Sequence, residues 1–209
     1  MIFISHRRNT IEELIATPIE YGIEVDIRSN NGRMIIHHEP LKGGLDFEDW
    51  LKFYKHKTLI LNVKEEGLEA PLILLMQQHS IKDYFFLDQS FPFLIKLSGL
   101  GERHCAVRVS EYESIETAIG LASRIDWVWV DFFTHFPLST SDAIRLHSAG
   151  FKLCLVSPEL HGHSAEVEIP KLARFLQEHS IDPQAICTKR VDFWKECLHQ
   201  IAKENLKLK

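Results

Sequence analysis

Two short segments hold the residues best suited to chemistry. Ser5-His6-Arg7 closes an apolar run at the N-terminus. Glu24-Val25-Asp26-Ile27-Arg28 closes a second run, and Met34-Ile35-Ile36-His37-His38-Glu39-Pro40 follows it. Glu24 and Asp26 stand two apart, so on a strand they share one face. Two buried carboxylates side by side are costly without a cation or hydrogen bonds to compensate. His6 and His38 flank the pair, and imidazole titrates near neutral pH, which suits an acid and a base. Arg7 can grip an oxyanion through two parallel hydrogen bonds. Glu24 and Asp26 offer hard oxygen ligands of the kind that bind Mg²⁺ or Ca²⁺. The same carboxylates could instead form a structural ion-pair network with Arg7, Arg28 and Lys64.

Such groups need a scaffold, and the hydrophobic pattern outlines one. Short apolar runs at 2–6, 22–28, 58–64, 84–88, 104–109, 126–132, 151–157 and 185–188 read as strands. Amphipathic stretches at 10–20, 46–55, 68–79, 90–98, 112–123, 139–149, 165–179 and 191–206 read as helices between them. Asn30-Asn31-Gly32 signals a hairpin into an extra strand at 34–38. Asp46 and Ser139 are suited to capping helix starts, and Gly150 to ending a helix. Strands alternating with helices imply a parallel sheet. Eight βα units in one domain, 1–209, imply an α/β fold of the TIM (β/α)8 type, smaller than the usual ~250 residues. An open doubly wound sheet is the alternative, but His6-Arg7-Arg8-Asn9 is not the glycine-rich phosphate loop that fold places after its first strand.

In a barrel the ends of the strands carry the chemistry. Those ends hold His6, Arg7, Glu24, Asp26, Arg28, Asn62, Lys64, Glu66, Asp88, Arg108, Ser110, Asp131, Ser157, Glu159, His161, Lys189 and Arg190, with His38 on the extra strand. Arg108 and Asp131 suit reading a head group or pairing with each other. His37 points away from His38 on a strand and reads as structural. His161-Gly162-His163 reads as a substrate loop or plain surface rather than a metal pair, since no third ligand lies near in sequence. Trp127 and Trp129 read as core packing.

The 209 residues are 45% hydrophobic and 25% charged, enough for a full core. A net charge of −5 gives no support to nucleic-acid binding, which wants a basic balance. No apolar run approaches the ~20 residues of a membrane span. The N-terminal residues lack the basic leader and apolar stretch of a signal peptide, so a cytoplasmic location is expected. Cys105, Cys154, Cys187 and Cys197 form no CxxC pair and read as buried thiols. The run from Lys203 to Lys209 reads as a solvated helix end.

The segments resemble the glycerophosphodiester phosphodiesterase family of the phospholipase-C-like phosphodiesterase superfamily. That family has His-Arg-Gly then Glu-Asn-Thr, Glu-x-Asp on the second strand, and His-Asp-Pro shortly after. Here the counterparts are His6-Arg7, Asn9-Thr10, Glu24-x-Asp26 and His38-Glu39-Pro40. The strong part of the likeness ends near Glu65, and Ala185 to Lys189 resembles the family's last strand. The resemblance implies a TIM barrel and hydrolysis of a phosphodiester of glycerol, a lipid head group or a sugar alcohol. It implies His6 and His38 as catalytic residues, and Glu24 and Asp26 as ligands of a divalent cation, Mg²⁺ or Ca²⁺. Arg7, Lys64 and Arg108 are the expected substrate-binding residues. The partner is a small-molecule diester, without nucleic acid or membrane insertion.

The likeness breaks at the third strand. Where the family has Asn-x-Glu-x-Lys, this chain has Asn62-Val63-Lys64-Glu65-Glu66, so the two charges are exchanged. Lys64 then stands in for the third metal ligand, and its ammonium could replace the metal outright. Alternatively Glu66 or Glu159 completes a displaced metal site. Arg8 stands where the family has glycine, and the insertion after the second strand shrinks to Leu41 through Phe47, which implies a more open site. Two other readings follow from Lys64: an inactive barrel that binds a phosphorylated metabolite, or an isomerase or aldolase using Lys64 as a Schiff-base amine.

Overall fold

A computed structural model describes residues 1–207. Along the chain run β1 (Ile2–Ser5), α1 (Ile11–Ala16), β2 (Gly22–Asn30), β3 (Arg33–Ile36), β4 (Leu45–Asp46), α2 (Phe47–Leu51), β5 (Leu59–Val63) and α3 (Glu69–Gln78). Then follow β6 (Tyr84–Leu87), α4 (Phe91–Gly99), β7 (Ala106–Val109), α5 (Ile115–Ile119), β8 (Trp127–Val130) and α6 (Thr140–Ser148). The last elements are β9 (Lys152–Val156), a 3-10 turn (Pro158–His161), α7 (Ala165–Glu178), β10 (Ala185–Thr188) and α8 (Val191–Lys207). The alternation is the one the hydrophobic pattern predicts. Of the expected solvated end from Lys203 to Lys209, residues 208–209 lie outside the described residues.

The residues form two compact units. The N-terminal unit holds Ile4–Val107 and Arg124–Trp127; the C-terminal unit holds Met1–Phe3, Arg108–Ser123 and the chain from Val128 onward. In the N-terminal unit β2 is the hub. β1 lies parallel on one side, with Ile4 opposite Gly22. β5 lies parallel on the other side, with Glu24 opposite Ile60 and Asp26 opposite Asn62. β6 continues the parallel sheet beyond β5. Gly22 has no alternative at its position: a Cβ there would stand 2.7 Å from the Thr58 carbonyl oxygen and 2.8 Å from Ile4.

β2 outlasts β1, and its far end turns back on itself. Asn30 pairs Arg33 and Ile27 pairs Ile36 in an antiparallel hairpin. Asn31 (φ 50°) and Gly32 (φ 77°) both take the left-handed backbone that a tight hairpin turn demands. The strand ends at Ile36, so His37 and His38 lie in the loop beyond it rather than on the strand. The short segment after them contributes β4, which pairs β3; nothing in its sequence pattern announced a strand.

In the C-terminal unit the order is β10-β9-β8-β7. Leu155 pairs Ile186 in parallel. The expected caps are present. Asp46 accepts from the Glu48 and Asp49 amides, and Ser139 forms a reciprocal capping box with Asp142. Gly150 follows α6 at φ 90°. Trp127 and Trp129 are buried, and Trp127 stacks on Phe85 at 4.5 Å. All four cysteines are buried and none is in a disulfide. Among the described residues no helix is long and apolar enough to cross a membrane.

Candidate active site

The site is built on β2 of the N-terminal unit. Glu24 and Asp26 are fully buried on one face of that strand. Each carboxylate oxygen meets a donor or a cation. Asn62 Nδ2, from β5, donates to Glu24 Oε1 at 2.8 Å. The Arg7 backbone N–H donates to Glu24 Oε2 at 2.7 Å. Asn9 Nδ2 donates to Asp26 Oδ2 at 2.8 Å, and Asn9 Oδ1 accepts the Asp26 backbone N–H. Arg7 Nε stands 3.5 Å from Asp26 Oδ2, and Lys64 Nζ stands 3.4 Å from Asp26 Oδ1.

The loop after β1 is shaped to reach these carboxylates. Arg7 adopts φ 50°, a left-handed conformation that costs free energy for a residue with a Cβ. The bend turns the Arg7 amide onto the Glu24 side chain and the Arg8 amide onto the Glu24 carbonyl, at 3.0 Å. Trp50 on α2 fixes the loop from behind by donating Nε1–H to the Arg8 carbonyl at 3.0 Å. His6, mostly buried, places Nε2 at 3.7 Å from Glu24 Oε2.

Burial pushes the Glu24 carboxyl up to about 7, the Asp26 charge adds to the rise, and the Asn62 and Arg7 hydrogen bonds oppose it. His38 sits at the other end of the constellation in sequence. Its carbonyl accepts two bonds from the Arg28 guanidinium, at 2.9 and 3.0 Å, and its Nδ1 bonds Glu39 Oε1 at 2.6 Å. His38 in turn holds the Glu39 carboxyl below its usual value through that hydrogen bond and its charge. A carboxylate on one ring nitrogen fixes the tautomer and leaves Nε2 for proton transfer. His37 Nδ1 accepts the Glu39 amide at 2.9 Å, a local loop contact rather than the strand alternation expected of it.

Lys64 bridges two carboxylates, with Asp88 Oδ2 at 3.0 Å on its other side. A cavity of about 340 Å³ opens there, lined by Lys64, Glu65, Glu66, Glu69, Asp88 and Ser90. Glu66 therefore faces this cavity. Glu159, the other candidate third ligand, accepts from the Ser157 and Thr188 hydroxyls and the Lys189 amide in the C-terminal unit.

The residues present do not fit the dication that the resemblance implies. Of its two expected ligands, Asp26 already pairs with Lys64 and Arg7, and both Glu24 oxygens accept hydrogen bonds from Asn62 and the Arg7 amide. Among the described residues no group of three or more His, Cys, Asp or Glu side chains is placed to hold a metal. Of the expected substrate-binding residues, Arg7 and Lys64 belong to this cluster. Arg108 pairs with Asp131, at 3.4 Å, within the C-terminal unit, one of the two roles expected of it. Asn9, Asn62, Asp88 and Trp50 complete the site, and none was picked out as a site residue from sequence. Asn9 lay within a matched motif and Asn62 and Asp88 at strand ends, while nothing pointed to Trp50.

Proton-active histidines, paired carboxylates and fixed cations stand at or just beyond strand ends of an α/β protein. Two solved structures share its fold, both from Agrobacterium tumefaciens strain C58. One protein, assigned as a glycerophosphoryl diester phosphodiesterase, superposes with a TM-score of 0.67 at 16% identity, covering 98% of each chain. The second, a glycerophosphodiester phosphodiesterase, gives 0.65 at 12% identity over 94% of this chain and 98% of the other. The chain thus resembles glycerophosphodiester phosphodiesterases in structure as it does in motif. No protein-family model and no curated protein matches the sequence.

Proposed function

We propose that the protein is a phosphoric diester hydrolase of the glycerophosphodiester phosphodiesterase type, on a (β/α)8 barrel, in which Lys64 takes the place of the divalent cation. The observation that supports this reading is the position of Lys64 against Asp26, beside His6 on Glu24 and Arg7 on Asp26. In the reaction, His6 and His38 exchange protons with the attacking and leaving oxygens. Arg7 and Lys64 stabilise the negative charge that gathers on the phosphoryl oxygens. Glu24 and Asp26 hold those cations and the loop in place. The substrate is a small diester whose alcohol is glycerol, a lipid head group or a sugar alcohol; the short segment after His38 leaves room for a larger one.

Lys64 is poorly suited to a Schiff-base role, because two carboxylates engage an ammonium that would have to be a free amine. The test is turnover of a panel of glycerophosphodiesters and bis-(p-nitrophenyl) phosphate, with and without a chelator. The reading expects turnover that chelation leaves unchanged and that His6→Ala and His38→Ala abolish. Absence of turnover across the panel, with phosphorylated metabolites still binding, would replace it with the inactive binding barrel.

A further inference from the structure

Every arginine of the chain but one has a side-chain partner. The others pair with carboxylates or, for Arg124, with the Ile95 carbonyl and the Ser98 hydroxyl. Arg8 is the exception. The residue is half-buried, and its Nε is buried with no hydrogen-bond partner. Among the described residues no carboxylate pairs with its guanidinium. Arginine stays protonated at any working pH, so burial cannot neutralise it. Taking a charge out of water without a partner is unfavourable. An anion supplied from outside the chain removes that cost.

The position of Arg8 points to the anion. It lies in the loop after β1, between Arg7 and Asn9, and both neighbours reach Asp26. Its backbone is held at both ends. The N–H donates to the Glu24 carbonyl at 3.0 Å, and the carbonyl accepts from Trp50 Nε1 at 3.0 Å. All of these residues belong to the N-terminal unit. With the backbone already fixed, only side-chain torsions remain to be ordered when a ligand binds, which lowers the entropic cost of binding. The other cations of the cluster are engaged: Lys64 stands between Asp26 and Asp88, and Arg7 beside Asp26. Arg8 stands where the resembled family has glycine, and Lys64 where it has a metal-binding glutamate. These two departures bring one positive charge each, and a dication brings two.

We propose that Arg8 is a phosphate-binding residue of the site, and that with Lys64 it supplies the two positive charges that a divalent cation would otherwise bring. The guanidinium offers a planar fork of donors that matches two phosphoryl oxygens. A half-buried position strengthens the attraction over that of a fully solvated charge. That the phosphoryl group belongs to a diester under hydrolysis rests on the proposed function; that Arg8 binds a phosphoryl group does not.

The experiment uses inorganic phosphate as the probe of the full-length protein. Calorimetric titration gives its affinity, and NMR follows the Arg8 Nε–H and the His6 ring during the same titration. Saturable binding that shifts both resonances is expected. Arg8→Met should weaken it at least about tenfold, as loss of a charge-assisted hydrogen bond does, and Arg8→Lys should weaken it less. Saturating phosphate should raise the unfolding temperature of the wild type and not that of Arg8→Met. Without phosphate, Arg8→Met should unfold at the wild-type temperature or above it, because the variant keeps an apolar stem and loses an unanswered charge. A lower temperature would mark a structural role and overturn the proposal. Wild-type phosphate affinity in Arg8→Met overturns it as well, and so does a phosphate response at Arg8 that leaves His6 unmoved. Turnover keeps the two readings apart. Phosphate binding through Arg8 without hydrolysis of any diester removes the hydrolase and leaves the phosphate site; equal hydrolysis by the wild type and Arg8→Met removes the role of Arg8 alone.

Discussion

Lys64 Nζ lies 3.4 Å from Oδ1 of Asp26, so a fully buried carboxylate receives its counter-cation from the chain itself. Removing that cation leaves Arg7 as the remaining counter-charge of a buried carboxylate. Lys64→Met should destabilise the protein by up to about 3 kcal/mol, the low end for a broken buried pair. Urea unfolding would measure it, and diester turnover should fall with it.

The reverse experiment installs an acid. Lys64→Glu restores the acid of the resembled family just after β5, though not its lysine at position 66, and places a third carboxylate near Glu24 and Asp26. Millimolar Mg²⁺ or Ca²⁺ should raise the unfolding temperature of this variant, because a ligand that binds only the native state stabilises it. The wild type should show no such rise and no heat in calorimetric titration. A wild-type response equal to that of the variant would show that Lys64 does not occupy the metal's place.

Proton transfer assigned to His6 and His38 has a kinetic signature. His6→Ala and His38→Ala should each lower kcat by about 100-fold or more, the usual contribution of a general acid or base. Unfolding temperatures should move little for His38, which is partly exposed. Glu39→Gln keeps the ring but loses the carboxylate that orients it, and should lower kcat less than His38→Ala does.

Glu24 sets a pH dependence of stability. Its folded-state carboxyl is raised from 4.5 to about 7 by burial and by Asp26, with the Asn62 and Arg7 hydrogen bonds and the Lys64 charge acting against the rise. His6 is the remaining titratable neighbour. Between those two values the native state holds a proton that the unfolded state has lost. The Glu24 contribution is therefore fully present below about pH 4.5 and fades as pH rises through about 7, a loss of up to about 3 kcal/mol. Glu24→Gln should flatten that slope in chemical denaturation series run across this window.

Gly22 offers a test of the scaffold. Gly22→Ala forces a methyl against the Thr58 carbonyl oxygen and Ile4 where β2 enters between β1 and β5. Overpacking of this kind costs about 1–3 kcal/mol, readable as a lowered unfolding midpoint.

The scaffold was legible in the chain because its signals are local. The hairpin follows from Asn30-Asn31-Gly32, the helix starts from Asp46 and Ser139, and the alternation of strand and helix from hydrophobic period alone. The pairing of Glu24 with Asp26 on one face is likewise a matter of strand geometry. The short strand Leu45–Asp46 escaped because two residues carry no periodicity, and its existence depends on β3 being there to pair with.

Residue types and spacing alone determined which groups are available for acid, base and charge chemistry: His6, Arg7, Glu24, Asp26, His38 and the misplaced cation Lys64. What answers the buried carboxylates was decided only by tertiary structure. Lys64 and Glu66 are two residues apart and share a strand face on paper, yet Lys64 reaches Asp26 while Glu66 lines the adjoining cavity. Arg108 stood at a strand end in sequence, and only folding showed that it shares Asp131 with His161. Ion pairing depends on distances of 3–4 Å between side chains from different strands, and such distances exist only once parallel pairing has set the register of β2 against β5 and the strand ends have been brought together.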